Sequence, residues 1–108
     1  MNLRSVDLNL LVVLDALLAE CNVSRAGQRI GLSQPATSAA LGRLRQIFGD
    51  PLLVRAGRGL VRTRVADDLV IPLRETLGQV ERLIVERPEF DPGTADRTFT
   101  ISASDYAT

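Results

Sequence analysis

A chain of 108 residues, 45% hydrophobic and 24% charged, is one domain's worth of sequence, or one domain with an appendage. It has no histidine and one cysteine, Cys21, which excludes Ser-His and Cys-His nucleophile pairs and any intrachain disulfide. Its 13 basic residues are all arginines, against 13 acids. Without lysine, Gly57-Arg58-Gly59 cannot act as a Walker-type phosphate loop. Nothing in this inventory suggests an enzyme, a metal site or a cofactor. Met1-Asn2-Leu3-Arg4 lacks the basic-then-apolar layout of a signal peptide, and the apolar run Leu10–Leu14 stops at Asp15, far short of the ~20 residues of a membrane span. The expectation is a soluble cytoplasmic protein with no membrane partner.

The balanced charge conceals an uneven distribution. Between Val23 and Arg64 stand eight arginines and one acid, Asp50; from Val65 onward four arginines face nine acids. A basic block beside an acidic one suggests a surface for a polyanion and a separate surface for other work.

In chain order, Leu10, Leu11, Leu14, Leu17 and Leu18 recur at helical spacing and predict a first helix from Asp7, as N-cap, to Glu20. A short second helix is expected from Ser24 to Ile30, with Ser24 as cap and Gly31 as the left-handed stop. The small Ala26 and Gly27 allow close approach of the next helix. That third helix starts after Ser33, a cap, and carries Pro35 in its first turn, where no helical N–H is lost. Its predicted buried stripe is Ala36, Ala40, Leu41, Leu44, Ile47 and Phe48. Gln34, Thr37, Ser38, Arg43 and Arg45 are expected outside, and Gly49 ends the helix.

Leu52–Arg55 and Leu60–Thr63 are strand-like runs around a glycine-rich connection, the pattern of a β-hairpin with Arg58 at its tip. Thr63 then caps a long helix, about Arg64 to Glu86. There Leu69, Leu73, Leu77, Val80 and Ile84 form a narrow seam of the kind that pairs with another helix, and Pro72 predicts a kink. Residues 88–97 have linker composition. Thr98–Ala103 alternates polar and apolar like a strand and reads as the first element of a further domain.

Two helices joined by a tight glycine-containing turn form a helix-turn-helix, whose second helix enters the major groove. Gln34 can pair with adenine, Thr37 and Ser38 can donate or accept, and the methyls of Ala36 and Thr37 can meet thymine. The Ser33-Gln34-Pro35 helix start presents its positive end to a phosphate. The hairpin fits a wing, with Arg58 for the minor groove. Arg43, Arg55, Arg62 and Arg64 are candidates for phosphates, which set affinity and register rather than sequence choice. A second reading makes the chain a protein-interaction module acting through the 64–86 helix.

The same order of elements carries Val23-Ser24-Arg25-Ala26, Leu32 through Ser38, Leu41-x-x-Leu44, Phe48 through Arg55 and Gly59 through Thr63. With these residues the chain resembles the N-terminal part of LysR-type transcriptional regulators. Leu44-Arg45, Asp50-Pro51-Leu52, Phe90-Asp91-Pro92 and Ser104-Asp105-Tyr106 are similar to the NodD-like branch. The resemblance implies a mainly α fold: a winged helix-turn-helix at 1–63, three helices plus a hairpin wing, followed by a long linker and dimerisation helix at 64–87. A hinge at 88–97 and the first strand of a truncated effector-binding domain at 98–108 follow. It further implies a homodimer, or a tetramer at full length, bound to a dyad-related operator on the nucleoid. A small-molecule inducer would act only through the missing effector domain, with Ser102 and Ser104 near its pocket. Three departures stand out: Ala39 where relatives often carry arginine, Arg45 where glutamate is usual, and Arg64-Val65-Ala66 where Pro-Ala-Gly is usual, at the start of the linker helix.

Overall fold

The computed structural model describes residues 7–85. The hinge, the strand at 98–108 and the candidates Ser102 and Ser104 lie outside them. The elements run α1 (Asn9–Glu20), α2 (Val23–Ile30), α3 (Gln34–Phe48), β1 (Leu53–Ala56), β2 (Gly59–Arg62) and α4 (Arg64–Val85). This is the predicted mainly helical chain with a two-stranded hairpin. Its contacts divide it into two units, residues 1–74 and 75–108.

In the first unit the core is built from α1. Its Leu10, Val13, Leu14, Leu17 and Leu18 are buried, together with Ala26, Leu41, Leu44, Leu52, Leu53 and Ala66. Each fully buried leucine contributes about 1.5–3 kcal/mol relative to exposure. Asp7 lies just before the helix and its side chain accepts the Asn9 N–H at 2.9 Å. Arg74 of α4 reaches Asp15 of α1 at 3.7 Å.

The second helix begins one residue earlier than predicted, and its cap is Asn22, not Ser24. The Asn22 side chain accepts the Arg25 N–H at 2.8 Å. Both residue types suit the role, but Cys21 in the left-handed region (φ 48°) turns the chain so that Asn22 is extended, as a cap must be. At the other end Gly31 (φ 75°) stops α2. The Gly31 N–H bonds the Gln28 carbonyl and the Leu32 N–H bonds the Gly27 carbonyl at 2.8 Å, the paired bonds of a Schellman motif.

Helix α3 starts as expected: Ser33 Oγ accepts the Ala36 N–H at 3.2 Å. Its buried face does not match. Thr37 is fully buried and Ala36 is exposed, so the inner stripe is Thr37, Ala40, Leu41 and Leu44. The reason lies on α2. A Cβ on Gly27 would stand 2.6 Å from Thr37 Oγ1 and 2.8 Å from the Leu32 carbonyl oxygen. Thr37 therefore sits directly against the Gly27 backbone, and its hydroxyl is satisfied by donating to the Ser33 carbonyl at 2.8 Å.

The hairpin pairs Leu53 with Arg62 through Ala56 with Gly59. Its loop is Gly57-Arg58, with Gly57 at φ 62°, as the first position of a tight hairpin turn requires. Thr63 caps α4, its Oγ1 accepting the Ala66 N–H at 3.1 Å, so the helix starts at Arg64 despite its departure from the usual sequence there. The helix continues through Pro72. Of the predicted seam, Leu73 is buried and Leu69 half-buried within the first unit, so Leu73 belongs to the domain core. Val80 and Ile84, in the second unit, are 47% and 63% exposed.

Gly27→Ala is expected to destabilise the fold by about 1–3 kcal/mol, the usual cost of overpacking. A thermal melt should then show a fall of several degrees; an unchanged melting temperature would contradict the close approach at Gly27.

Candidate nucleic-acid interface

The turn Gly31-Leu32-Ser33 sets α3 across α2 with Thr37 inward. On a helix of about 3.6 residues per turn the positions opposite the buried stripe are then Pro35, Ala39, Gly42 and Gln46. Ser38 flanks this face on one side and Ala36 and Arg43 on the other, Gln34 stands in the first turn in line with Leu41, and all eight are exposed. The side chains of Gln34, Ser38, Arg43 and Gln46 form no hydrogen bond or ion pair with other described residues. A Cβ on Gly42 would meet nothing within 4 Å, so this glycine serves no packing within the domain.

The sequence-predicted residues divide accordingly. Pro35, Ala36, Ser38 and Arg43 lie on or beside the outward face, Gln34 is exposed in the first turn of the helix, and Ser33 acts as the cap. Thr37 is withdrawn from it, at 0% exposure. Gly42 and Gln46 were missed; counting round the helix from Ser38 and Ala39 would have found them once the buried stripe was placed correctly.

The arginines also separate. Arg62 is not free to meet a phosphate. Its Nε donates to Asp67 Oδ1 at 2.7 Å and its Nη1 to the Leu18 carbonyl at 2.6 Å, with Cys21 Sγ at 3.8 Å. The bond to Asp67 pushes its pKa above the ordinary value, with Cys21 adding to the rise and desolvation opposing it. Arg62 thereby caps the C-terminal end of α1, which has no basic residue of its own in its last turn, and fixes β2 to the first turns of α4. Arg29 pairs with Glu20 at 3.2 Å. Arg45 donates to the Pro51 and Leu53 carbonyls. Arg25, Arg43, Arg55, Arg58 and Arg64 are exposed and have no such partner among the described residues.

The described residues thus offer an unpartnered helix face with a two-stranded arm, and five uncommitted guanidinium groups on α2, α3, the hairpin and the start of α4. No group of three or more His, Cys, Asp or Glu among them is placed to hold a metal ion, and no described helix is long and apolar enough to cross a membrane.

Residues 8–67 match the family model of the bacterial regulatory helix-turn-helix proteins of the lysR family. Over all 108 residues the chain is 48% identical to nodulation protein D 1 of Bradyrhizobium sp. (strain NC92), covering 34% of that protein. The chain spans about a third of the length of the curated relatives it matches. Among solved structures, a probable transcriptional regulator from Pseudomonas aeruginosa aligns with a TM-score of 0.72 and 40% identity, over 84% of this chain and 30% of that one. The CbnR DNA-binding domain, solved in complex with DNA, aligns with a TM-score of 0.64 and 25% identity, over 71% of this chain and 88% of that one. The family match covers more than half of the sequence, and the chain belongs to the lysR family of bacterial regulatory helix-turn-helix proteins.

Proposed function

We propose that the chain is the sequence-reading part of a transcriptional regulator and binds double-stranded DNA, with α3 in the major groove and the hairpin tip over the adjacent minor groove. The observation that carries this reading is the outward face of α3. Its polar side chains have no partner among the described residues, and Arg43 on the same helix, with Arg25, Arg55, Arg58 and Arg64 on the neighbouring elements, is exposed and uncommitted. Gln34 and Ser38 are assigned to base edges, with the Ala36 methyl and Pro35 in contact range of thymine methyls. Gln46 lies farther along the same face. Arg58 is assigned to the minor groove, and Arg25, Arg43, Arg55 and Arg64 to phosphates. The small residues Ala39 and Gly42 at the centre of the face let the helix lie close to the groove floor.

The CbnR domain of the same fold is bound to DNA in its solved structure, which supports this reading. The exposed Val80, Leu83, Ile84 and Val85 near the end of α4 support a second element, self-association through that helix. A dyad-related pair of α3 helices would then meet successive major grooves about 34 Å apart. Such a regulator works in the cytoplasm, on the nucleoid.

Binding to a dyad-containing fragment should weaken steeply with salt. Four phosphate contacts on each of two subunits give a log–log slope of roughly −7; a flat dependence would overturn the DNA reading. Gln34→Ala should relax discrimination at one base position by about 1–3 kcal/mol. Thr37→Val, which changes only a buried side chain, should leave base preference as it is. The opposite ranking of these two variants would mean that α3 is rotated from the assigned register.

Val80 and Ile84 are exposed, so replacing either with arginine does not disturb the domain core. Ile84→Arg should yield monomers in sedimentation while the melting temperature holds. Dimers that survive both Ile84→Arg and Val80→Arg would place the interface elsewhere.

A further inference from the structure

Between the end of α3 and the start of β1 the chain makes an unusual turn. Leu52 lies in the left-handed region at φ 66° although it is fully buried. The Leu53 N–H donates to the Pro51 carbonyl at 2.7 Å, closing a three-residue γ-turn of the strained hand around Leu52. A β-carbon in this conformation carries a real energetic cost and persists only where the surroundings over-determine it.

Groups on both sides of the turn hold Leu52 there. Asp50 Oδ2 accepts the Leu52 N–H at 2.8 Å and the Thr63 hydroxyl at 2.6 Å, joining the two ends of the hairpin. The Thr63 N–H donates to the Leu52 carbonyl at 3.0 Å. From the other side Arg45 spans the turn, with Nε donating to the Pro51 carbonyl at 2.7 Å and Nη2 to the Leu53 carbonyl at 2.9 Å. Among the described residues no other side chain of α3 hydrogen-bonds the hairpin or its approach. A planar guanidinium presents two donors in fixed relation, which suits two carbonyls held on either side of one residue.

We propose that Arg45 is a positioning residue, which locks the hairpin to α3 so that the two meet DNA as one rigid reader. It bears on the reading of DNA without touching it, by fixing the distance from the α3 face to Arg58. This consequence rests on the DNA-binding function proposed above; the clamp itself does not, and two measurements separate them.

The first uses the protein alone. In Arg45→Met, amide hydrogen exchange in β1 and β2 should speed up by at least about tenfold, as the loss of two charge-assisted bonds implies, with α1 and α2 amides unchanged. Arg45→Lys should fall between the two. Hairpin exchange equal to wild type in Arg45→Met would overturn the clamp, and would fit an arginine that contacts only phosphate. If Arg45→Met does not fold, Arg45→Lys decides by the same readout: faster hairpin exchange supports the clamp, and wild-type exchange overturns it.

The second is a double-mutant cycle on DNA with an A·T-rich flank under the hairpin tip. Arg58→Ala should cost about tenfold in affinity in the wild-type background but less than about twofold in Arg45→Met, because a loosened hairpin no longer places Arg58. Equal costs in both backgrounds would overturn the coupling. If Arg58→Ala costs nothing even in the wild type, the minor-groove reading fails, while the exchange result still decides the clamp.

Discussion

The absence of a side chain at Gly27 determines how this domain is assembled. Thr37 Oγ1 lies 2.6 Å from where a Cβ on Gly27 would stand, so α3 comes down onto the backbone of α2. That contact fixes the rotation of α3 about its own axis. Once Thr37 is inward, Ala39, Gly42 and Gln46 must be outward, and Leu41 and Leu44 turn to the same side as Thr37. The hydroxyl of Thr37 makes such burial tolerable because it donates to the Ser33 carbonyl, leaving no unmet hydrogen bond. Ser33 therefore serves both ends of one device: its side chain caps the helix and its carbonyl receives the residue that orients it.

The hairpin is held by a different kind of interaction. Its apolar anchors, Leu52 and Leu53, are buried, but its direction is set by charged groups bonded to backbone oxygens. Arg45 grips the chain entering β1, and Arg62 at the end of β2 reaches the last turn of α1 and the first turns of α4. Asp50, the one acid of the basic block, closes the base between them. Charge is thus used twice in this region. Some arginines are consumed in building the support, while Arg25, Arg43, Arg55, Arg58 and Arg64 are exposed and have no partner among the described residues. A map of arginine positions in the sequence does not distinguish the two groups.

That distinction marks the limit of what could be read from the sequence. The Ser33-x-Pro35 start, the glycine stops at 31 and 49, the hairpin around Gly57 and the cap at Thr63 are local signals, each settled within a few residues, and all stand where expected. The role of Arg62 depends on Leu18, 44 positions away in the chain, and no local pattern announces it. Threonine counts as polar and is expected outside; the burial of Thr37 follows only from what faces it on α2. With Thr37 and not Ala36 inward, the outward face centres on Ala39, Gly42 and Gln46. The seam of α4 divided for a similar reason, since periodicity does not say whether Leu73 meets a partner or its own domain.

In the proposed function, the face fixed by Gly27 and Thr37 reads base sequence. Selection from a random DNA pool by this chain tests it most directly. The expected result is enrichment of a dyad whose half-sites are centred about one helical turn apart, with flanks of A·T pairs where the hairpin tips fall. A pool that stays unenriched at salt low enough for binding, or that yields sites of no common sequence, would contradict it.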